Sequence, residues 1–169
     1  MEQGRASEES YYAMKEHRRS IMGHSPGGYY NKLEVRVIYA DTDHGGAVYY
    51  GTYLRWFEMG RTELLRSAGL TYSEIEKSGI LSPVVEVRCR YLQPARYDEL
   101  LEVITWIEEL RRGSIIFGYQ IIRKADHALI ALGETTNAFV DHEFRCTRPP
   151  TPIHTALSSL AGEGPATPE

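Results

Sequence analysis

Cysteine is scarce: Cys89 and Cys146 are the two in 169 residues. That is too few for a disulfide framework and fits a reducing compartment. Long apolar runs are missing, since no stretch approaches the roughly 18 residues a membrane-spanning helix needs. The amino terminus, MEQGRASEESYYAMKEHRRS, lacks the apolar segment of a secretory signal. A cytoplasmic protein is therefore expected. Positive charge is not in excess. The net charge is -4 and the isoelectric point about 5.9, which gives no support to bulk nucleic-acid binding. Clustered metal ligands are missing too: His17, His24, His44, His127, His142 and His154 are scattered, mostly in tails and turns. No metal site is expected from them. These absences exclude a disulfide-stapled secreted mini-protein, a membrane span and a basic DNA-binder.

What remains is an ordinary globular composition, 42% hydrophobic and 25% charged, long enough for one domain with its own core. Residues 1–30 read as a flexible extension, with a short helix near Glu8–Arg19. Residues 31–149 form the working domain. Residues 150–169 read as a Pro-rich tail, because five of the eight prolines fall at or after Pro149, with a helical turn around His154–Leu160. The domain opens with a strand over Leu33–Ala40, in which Leu33, Val35, Val37 and Tyr39 alternate with Glu34 and Arg36. Asp41–Gly46 breaks it. From Tyr50 a helical period takes over, with Tyr53, Phe57, Gly60, Leu64 and Ala68 on one stripe, reinforced by Leu54 and Leu65. Arg55, Glu58, Arg61 and Glu63 mostly flank that stripe. Gly69 is a stop signal. Gly60 on the stripe predicts a close backbone approach. Thr71 and Glu74 have capping-box spacing for a second helix to about Ser78. Strands then follow over Pro83–Leu92, Leu100–Leu110, Ser114–Arg123 and Ala128–Asp141, the last three as a meander turning at Arg111–Gly113 and Lys124–His127. Few helices and long strands argue against a parallel βαβ fold.

The segment Tyr39-Ala-Asp41-Thr-Asp43-His44-Gly45-Gly46-Ala-Val-Tyr49-Tyr50 carries the chemistry. It joins a strand to a helix start, where backbone N–H groups lack partners and the dipole is positive. Carboxylates there are either helix caps or a base or nucleophile beside an oxyanion hole. A calcium loop fails on spacing, because Gly45 and Thr52 stand where oxygen ligands belong. An aspartyl-phosphate enzyme needs βαβ units downstream, and a Ser-His-Asp hydrolase needs a G-x-S-x-G elbow; neither is present.

The run from Val37 to Tyr53, with the helix after it, resembles the hotdog-fold acyl-CoA thioesterases of the 4-hydroxybenzoyl-CoA thioesterase type, including the bacterial Tol-Pal-associated thioesterases. Glu-Leu-Arg111-Arg112-Gly-Ser114 resembles the family's basic turn, and Tyr91-Leu-Gln-Pro94-Ala-Arg96-Tyr-Asp98-Glu its strand connection. The resemblance implies an α+β hotdog: an antiparallel sheet of five to six strands wrapped around one long central helix. It implies hydrolysis of an acyl-CoA, or an acyl-carrier-protein thioester, without a cofactor beyond the coenzyme A of the substrate. It implies a homodimer or homotetramer with sites at the dimer interface. It assigns catalysis to Asp43, the oxyanion to backbone N–H groups around Tyr49 and Tyr50, and close approach to Gly46. Tyr39 and Tyr49 would line the acyl site. Arg111, Arg112 and Ser114 would hold CoA phosphates, with Arg145 and Arg148 as weaker candidates. Many Tol-Pal-type members carry His where this chain has Tyr50, so that side chain's role is absent. His44 reads as a solvated turn residue. Two rivals stand beside this reading: a hotdog hydratase or dehydratase, which would need an active-site His, and a non-catalytic acyl-CoA-binding module.

Overall fold

The computed structural model describes residues 29–161. The helix expected at Glu8–Arg19 and the last residues of the Pro-rich tail lie outside them. Five strands form one antiparallel sheet: β1 (Tyr30–Arg36), β2 (Val84–Tyr91), β3 (Leu100–Leu110), β4 (Ser114–Arg123) and β5 (Leu129–Ala138). Their order is β1-β3-β4-β5-β2. Helix α1 (Thr52–Ser67) crosses one face against β1, β3 and β4. Two shorter helices, α2 (Tyr72–Lys77) and α3 (Thr151–Leu160), complete the described residues. This is the hotdog arrangement implied by the resemblance. Among the described residues no helix is long and apolar enough to cross a membrane.

The apolar stripe of α1 explains its seat. Tyr53, Trp56, Phe57, Gly60, Leu64 and Leu65 are buried, and burying such side chains is the main favourable term in folding, about 1.5–3 kcal/mol for each large one. Two glycines let the elements meet. A Cβ on Gly60 would lie 2.3 Å from Thr105 Oγ1, and one on Gly133 would lie 2.2 Å from Phe57 Cζ. The helix can therefore sit down on β3, while the Phe57 ring stacks on Tyr119 at 4.3 Å over bare backbone of β5. The helix ends as expected. Gly69 adopts φ +75°, its N–H reaches Arg66 O, and Leu70 N–H reaches Leu65 O, a Schellman closure. The capping box of α2 forms as its spacing predicts: Glu74 N–H donates to Thr71 Oγ1, and Thr71 N–H donates to the Glu74 carboxylate.

Several expectations need correction. The first strand stops at Arg36, and a 3-10 turn occupies Tyr39–Asp41. The Asp41 carboxylate accepts the Ile38 N–H and Thr42 N–H bonds back to Tyr39 O, which bends the chain off the sheet. Tyr39 is consequently 79% exposed rather than a member of the inward set. Leu54 is exposed, whereas Arg61 is buried and donates to Tyr72 Oη at 3.3 Å. The inward face of α1 is rotated toward Trp56 and Arg61 relative to the stripe read from spacing. The last strand ends at Ala138 because Phe139 N–H turns to Gly113 O and Val140 N–H to Leu81 O. Helix α3 begins at Thr151, earlier than the turn at His154. Pro152 is tolerated in its first turn, and Ile153, Leu157 and Leu160 are buried in the core.

Candidate active site

The loop between β1 and α1 is held by residues 95–99. Val37 N–H donates to Glu99 O, Asp98 N–H to Val37 O, and Val48 N–H to Ala95 O at 2.8 Å. Within this frame the two carboxylates part company. Asp41 is 2% exposed. Its Oδ2 accepts the Ile38 N–H at 3.0 Å, and Oδ1 is ion-paired with Arg55 in the first turn of α1. Its carbonyl accepts the Tyr49 N–H at 2.8 Å and the Thr52 hydroxyl at 3.4 Å. Asp43 is exposed. Its Oδ1 accepts the Gly45 N–H at 2.8 Å, the local turn such residues favour, and among the described residues Oδ2 takes no hydrogen bond. Gly46 N–H returns to Asp43 O at 3.0 Å. Gly46 has φ +72°, a conformation that favours glycine. The Arg96 guanidinium donates to Gly46 O at 3.3 Å.

At the helix start the Tyr49 N–H is already taken by Asp41. The Tyr50 N–H has no acceptor among the described residues. It stands at the positive end of α1, where an oxyanion is favoured. Beside it lies a shallow, mainly apolar cavity of about 300 Å³, lined by Val48, Tyr50, Tyr53, Tyr91, Leu92 and Pro94. Tyr91 Oη donates to Tyr50 O at 2.9 Å. Burial, followed by its contacts with Cys89, raises the Tyr91 phenol above its ordinary value, and burial pushes the Cys89 thiol up to about 11. Both are therefore neutral near pH 7, and Tyr91 keeps the proton it donates.

The structure thus brings Asp43, Gly46, Tyr49 and Tyr50 into one loop. Neither Tyr39 nor Tyr49 is among the cavity's walls; the Tyr39 ring packs edge-on against Tyr97 at 6.1 Å, and the Tyr49 ring lies against Tyr50 at 4.4 Å. Arg111 and Arg112 are elsewhere. They follow the far end of β3, whose eleven residues extend about 35 Å at ~3.3 Å each. There they line a cavity of about 350 Å³ with Arg148, Thr151 and His154. A second cavity of about 570 Å³ shares Arg112 and Arg148 with it. Arg111 also bonds Glu109 at 2.7 Å. Ser114 is not a wall of either cavity; its carbonyl closes the hairpin on Arg111 N–H. Arg145 is engaged by Asp141 and Glu143. Sequence reasoning missed Tyr91 as a wall of the cavity beside Tyr50, although it stands in the quoted strand-connection segment. It missed His154 in the arginine cleft, for which only the docking of α3 provides a signal.

The family model described as "Thioesterase-like superfamily" matches residues 37–159. YneP of Bacillus subtilis is 44% identical over 95 residues, 56% of this chain and 69% of that protein. The acyl-CoA thioester hydrolase YbgC of Escherichia coli is 35% identical over 107 residues, 63% of this chain and 79% of that protein. Among solved structures, DHNA-CoA thioesterase from Staphylococcus aureus superposes with a TM-score of 0.68 at 31% identity, covering 71% of this chain and 80% of that one.

Proposed function

The chain belongs to the thioesterase-like superfamily and hydrolyses acyl-CoA thioesters, and on that premise we propose that Asp43 performs the chemistry and the Tyr50 backbone N–H holds the oxyanion. The observation that carries this reading is the sorting of the two carboxylates. Asp41 is buried and fully engaged, so it is unavailable to a substrate. Asp43 is exposed, and among the described residues one of its oxygens and the Tyr50 N–H in the same loop are without partners. The thioester carbonyl would accept that N–H. Its oxygen gains negative charge as the carbon turns tetrahedral, and a prearranged donor lowers such a barrier by about 3 kcal/mol. Asp43 either attacks the carbonyl carbon or takes a proton from an attacking water. The C–S bond breaks, the sulfur leaves as the CoA thiolate and is protonated, and one water is consumed to give the free acid. The cavity beside Tyr50 is the acyl subsite.

The phosphates of CoA belong at Arg111, Arg112 and Arg148, since guanidinium groups bind phosphate in forked geometry. A carrier-protein thioester has no nucleotide and would leave this cleft unused, so the cleft favours acyl-CoA. Among the described residues no segment joins this cleft to the cavity at Tyr50. A second copy supplies it, as in a homodimer, and the edge strand β2, with Val84, Val85 and Val87 exposed, offers a surface for that copy.

The test is release of CoA thiol from a panel of acyl-CoAs, acetyl to palmitoyl with benzoyl and hydroxybenzoyl, by wild type and Asp43→Asn. Activity should vanish in the variant while acyl-CoA binding persists. An active Asp43→Asn enzyme overturns the assignment.

A further inference from the structure

We propose that Asp41 and Arg55 are a positioning pair that aims the oxyanion donor. The inference rests on the reading of Tyr50 N–H above and adds the device that sets it. A carboxylate with almost no access to water is costly unless it is paired and hydrogen-bonded. Asp41 meets that condition through Arg55 and the Ile38 N–H. The same residue grips the start of α1 by a second route, because its carbonyl accepts from Tyr49 N–H and from the Thr52 hydroxyl. Side chain and backbone of Asp41 therefore both tie the helix start to the end of β1.

Ordinary helix capping does not account for this. A capping Asp accepts an N–H of the second or third helical residue with its side chain. The Asp41 carboxylate accepts none from α1; the N-cap position is Gly51, which makes no side-chain cap. The Thr52 N–H turns back to Tyr49 O and the Leu54 N–H to Gly51 O, so Asp41 anchors the helix through Arg55 and the Thr52 hydroxyl without taking an N–H of α1. Arg55 can do this because side chains on a helix lean toward its N-terminus, so the guanidinium reaches back past the first turn. The result is selective. The Tyr49 N–H is consumed by Asp41 O, and the Tyr50 N–H is the next along the chain, without an acceptor among the described residues. Neither Asp41 nor Arg55 need touch the substrate, so both act through Tyr50.

The experiment measures kcat, KM and thermal midpoint for Asp41→Asn, Arg55→Gln, Arg55→Lys and the Asp41→Asn/Arg55→Gln double variant, with Asp43→Asn in the same assay. An oxyanion donor acts in the transition state alone, so its misplacement should lower kcat with KM little changed. A fall of about 10²-fold is expected for either single variant, the size associated with displacement by about an ångström. The double variant should be no slower than the worse single one, because the two act as one unit. Arg55→Lys keeps the charge and should recover much of the loss. Should Asp41→Asn not fold, the half-exposed Arg55 variants carry the test. Wild-type kcat in folded Arg55→Gln, with Asp43→Asn dead, overturns the positioning pair alone. A rise in KM with kcat intact also overturns it. An active Asp43→Asn enzyme overturns the parent reading instead.

Discussion

Gly60 lies where α1 crosses β3, and its missing side chain sets how close the two can come. A Cβ there would stand 2.3 Å from Thr105 Oγ1 and 3.2 Å from Val103 Cγ1. All of these atoms belong to buried residues, so the clash cannot be relieved into solvent. Gly60→Ala should destabilise the fold by roughly 1–3 kcal/mol, the usual range for overpacking a core, read as a lower denaturant midpoint at constant slope. Thr105 Oγ1 is itself buried, with no hydrogen-bond partner among the described residues. Thr105→Ala should therefore shrink the cost of Gly60→Ala, and an unchanged cost would mean that the contact is not the cause. The same residue-by-residue resolution separates Asp41 from Asp43. In the sequence they are two similar acids two positions apart. In the structure one is a buried ion-pair partner and the other an exposed acceptor.

At the scale of elements, the passage from α1 to α2 is written in local signals. Gly69 takes the left-handed conformation that closes α1, and Thr71 with Glu74 opens α2. Hydrogen bonds from the Thr71 backbone and then from its hydroxyl hold the Glu74 carboxyl below its ordinary value. A group whose folded pKa is depressed stabilises the fold above its unfolded pKa, and that stabilisation is lost as pH falls through the folded value. Thr71→Ala should cost about 1 kcal/mol at neutral pH. It should also reduce the drop in stability between neutral pH and roughly pH 3, below the ordinary glutamate range. Urea titrations of both proteins at the two pH values check this, and an identical drop would remove the Thr71 hydroxyl from the coupling.

For the whole molecule, the decisive quantity is the length of β3. It separates the loop bearing Asp43 from the arginine cleft, although both are expected to serve one substrate. If two copies share each site, co-expressed Asp43→Asn and Arg111→Ala/Arg112→Ala chains should complement one another. Each variant alone should hydrolyse acyl-CoA poorly at substrate concentrations below the wild-type KM, the first through kcat and the second through KM. The mixed oligomer holds one site with Asp43 and the arginines both intact, and should regain part of the wild-type rate. Activity no higher than the average of the two parents would place both groups within a single chain.

Most elements were legible because their signals are local. Strands β3 and β4 follow their runs of β-branched and aromatic residues, and the α2 capping box needs two residues three apart. The order strand, Asp-rich glycine loop, helix is likewise a property of neighbours along the chain, and so is the candidacy of Asp43, Gly46 and Tyr50. What tertiary structure decided depends on groups far apart in sequence. Alternation places Tyr39 inward, yet the Asp41 carboxylate turns it out. Arg61 reads as a surface charge, yet Tyr72 and Tyr119 receive it inside. Val85 and Val87 of β2 alternate with Glu86 and Arg88 like a half-buried strand, yet their place at the edge of the sheet leaves them open. Periodicity along a chain records which residues share a face. Only strand order and helix docking determine whether that face is covered, and which carboxylate the fold consumes or leaves free.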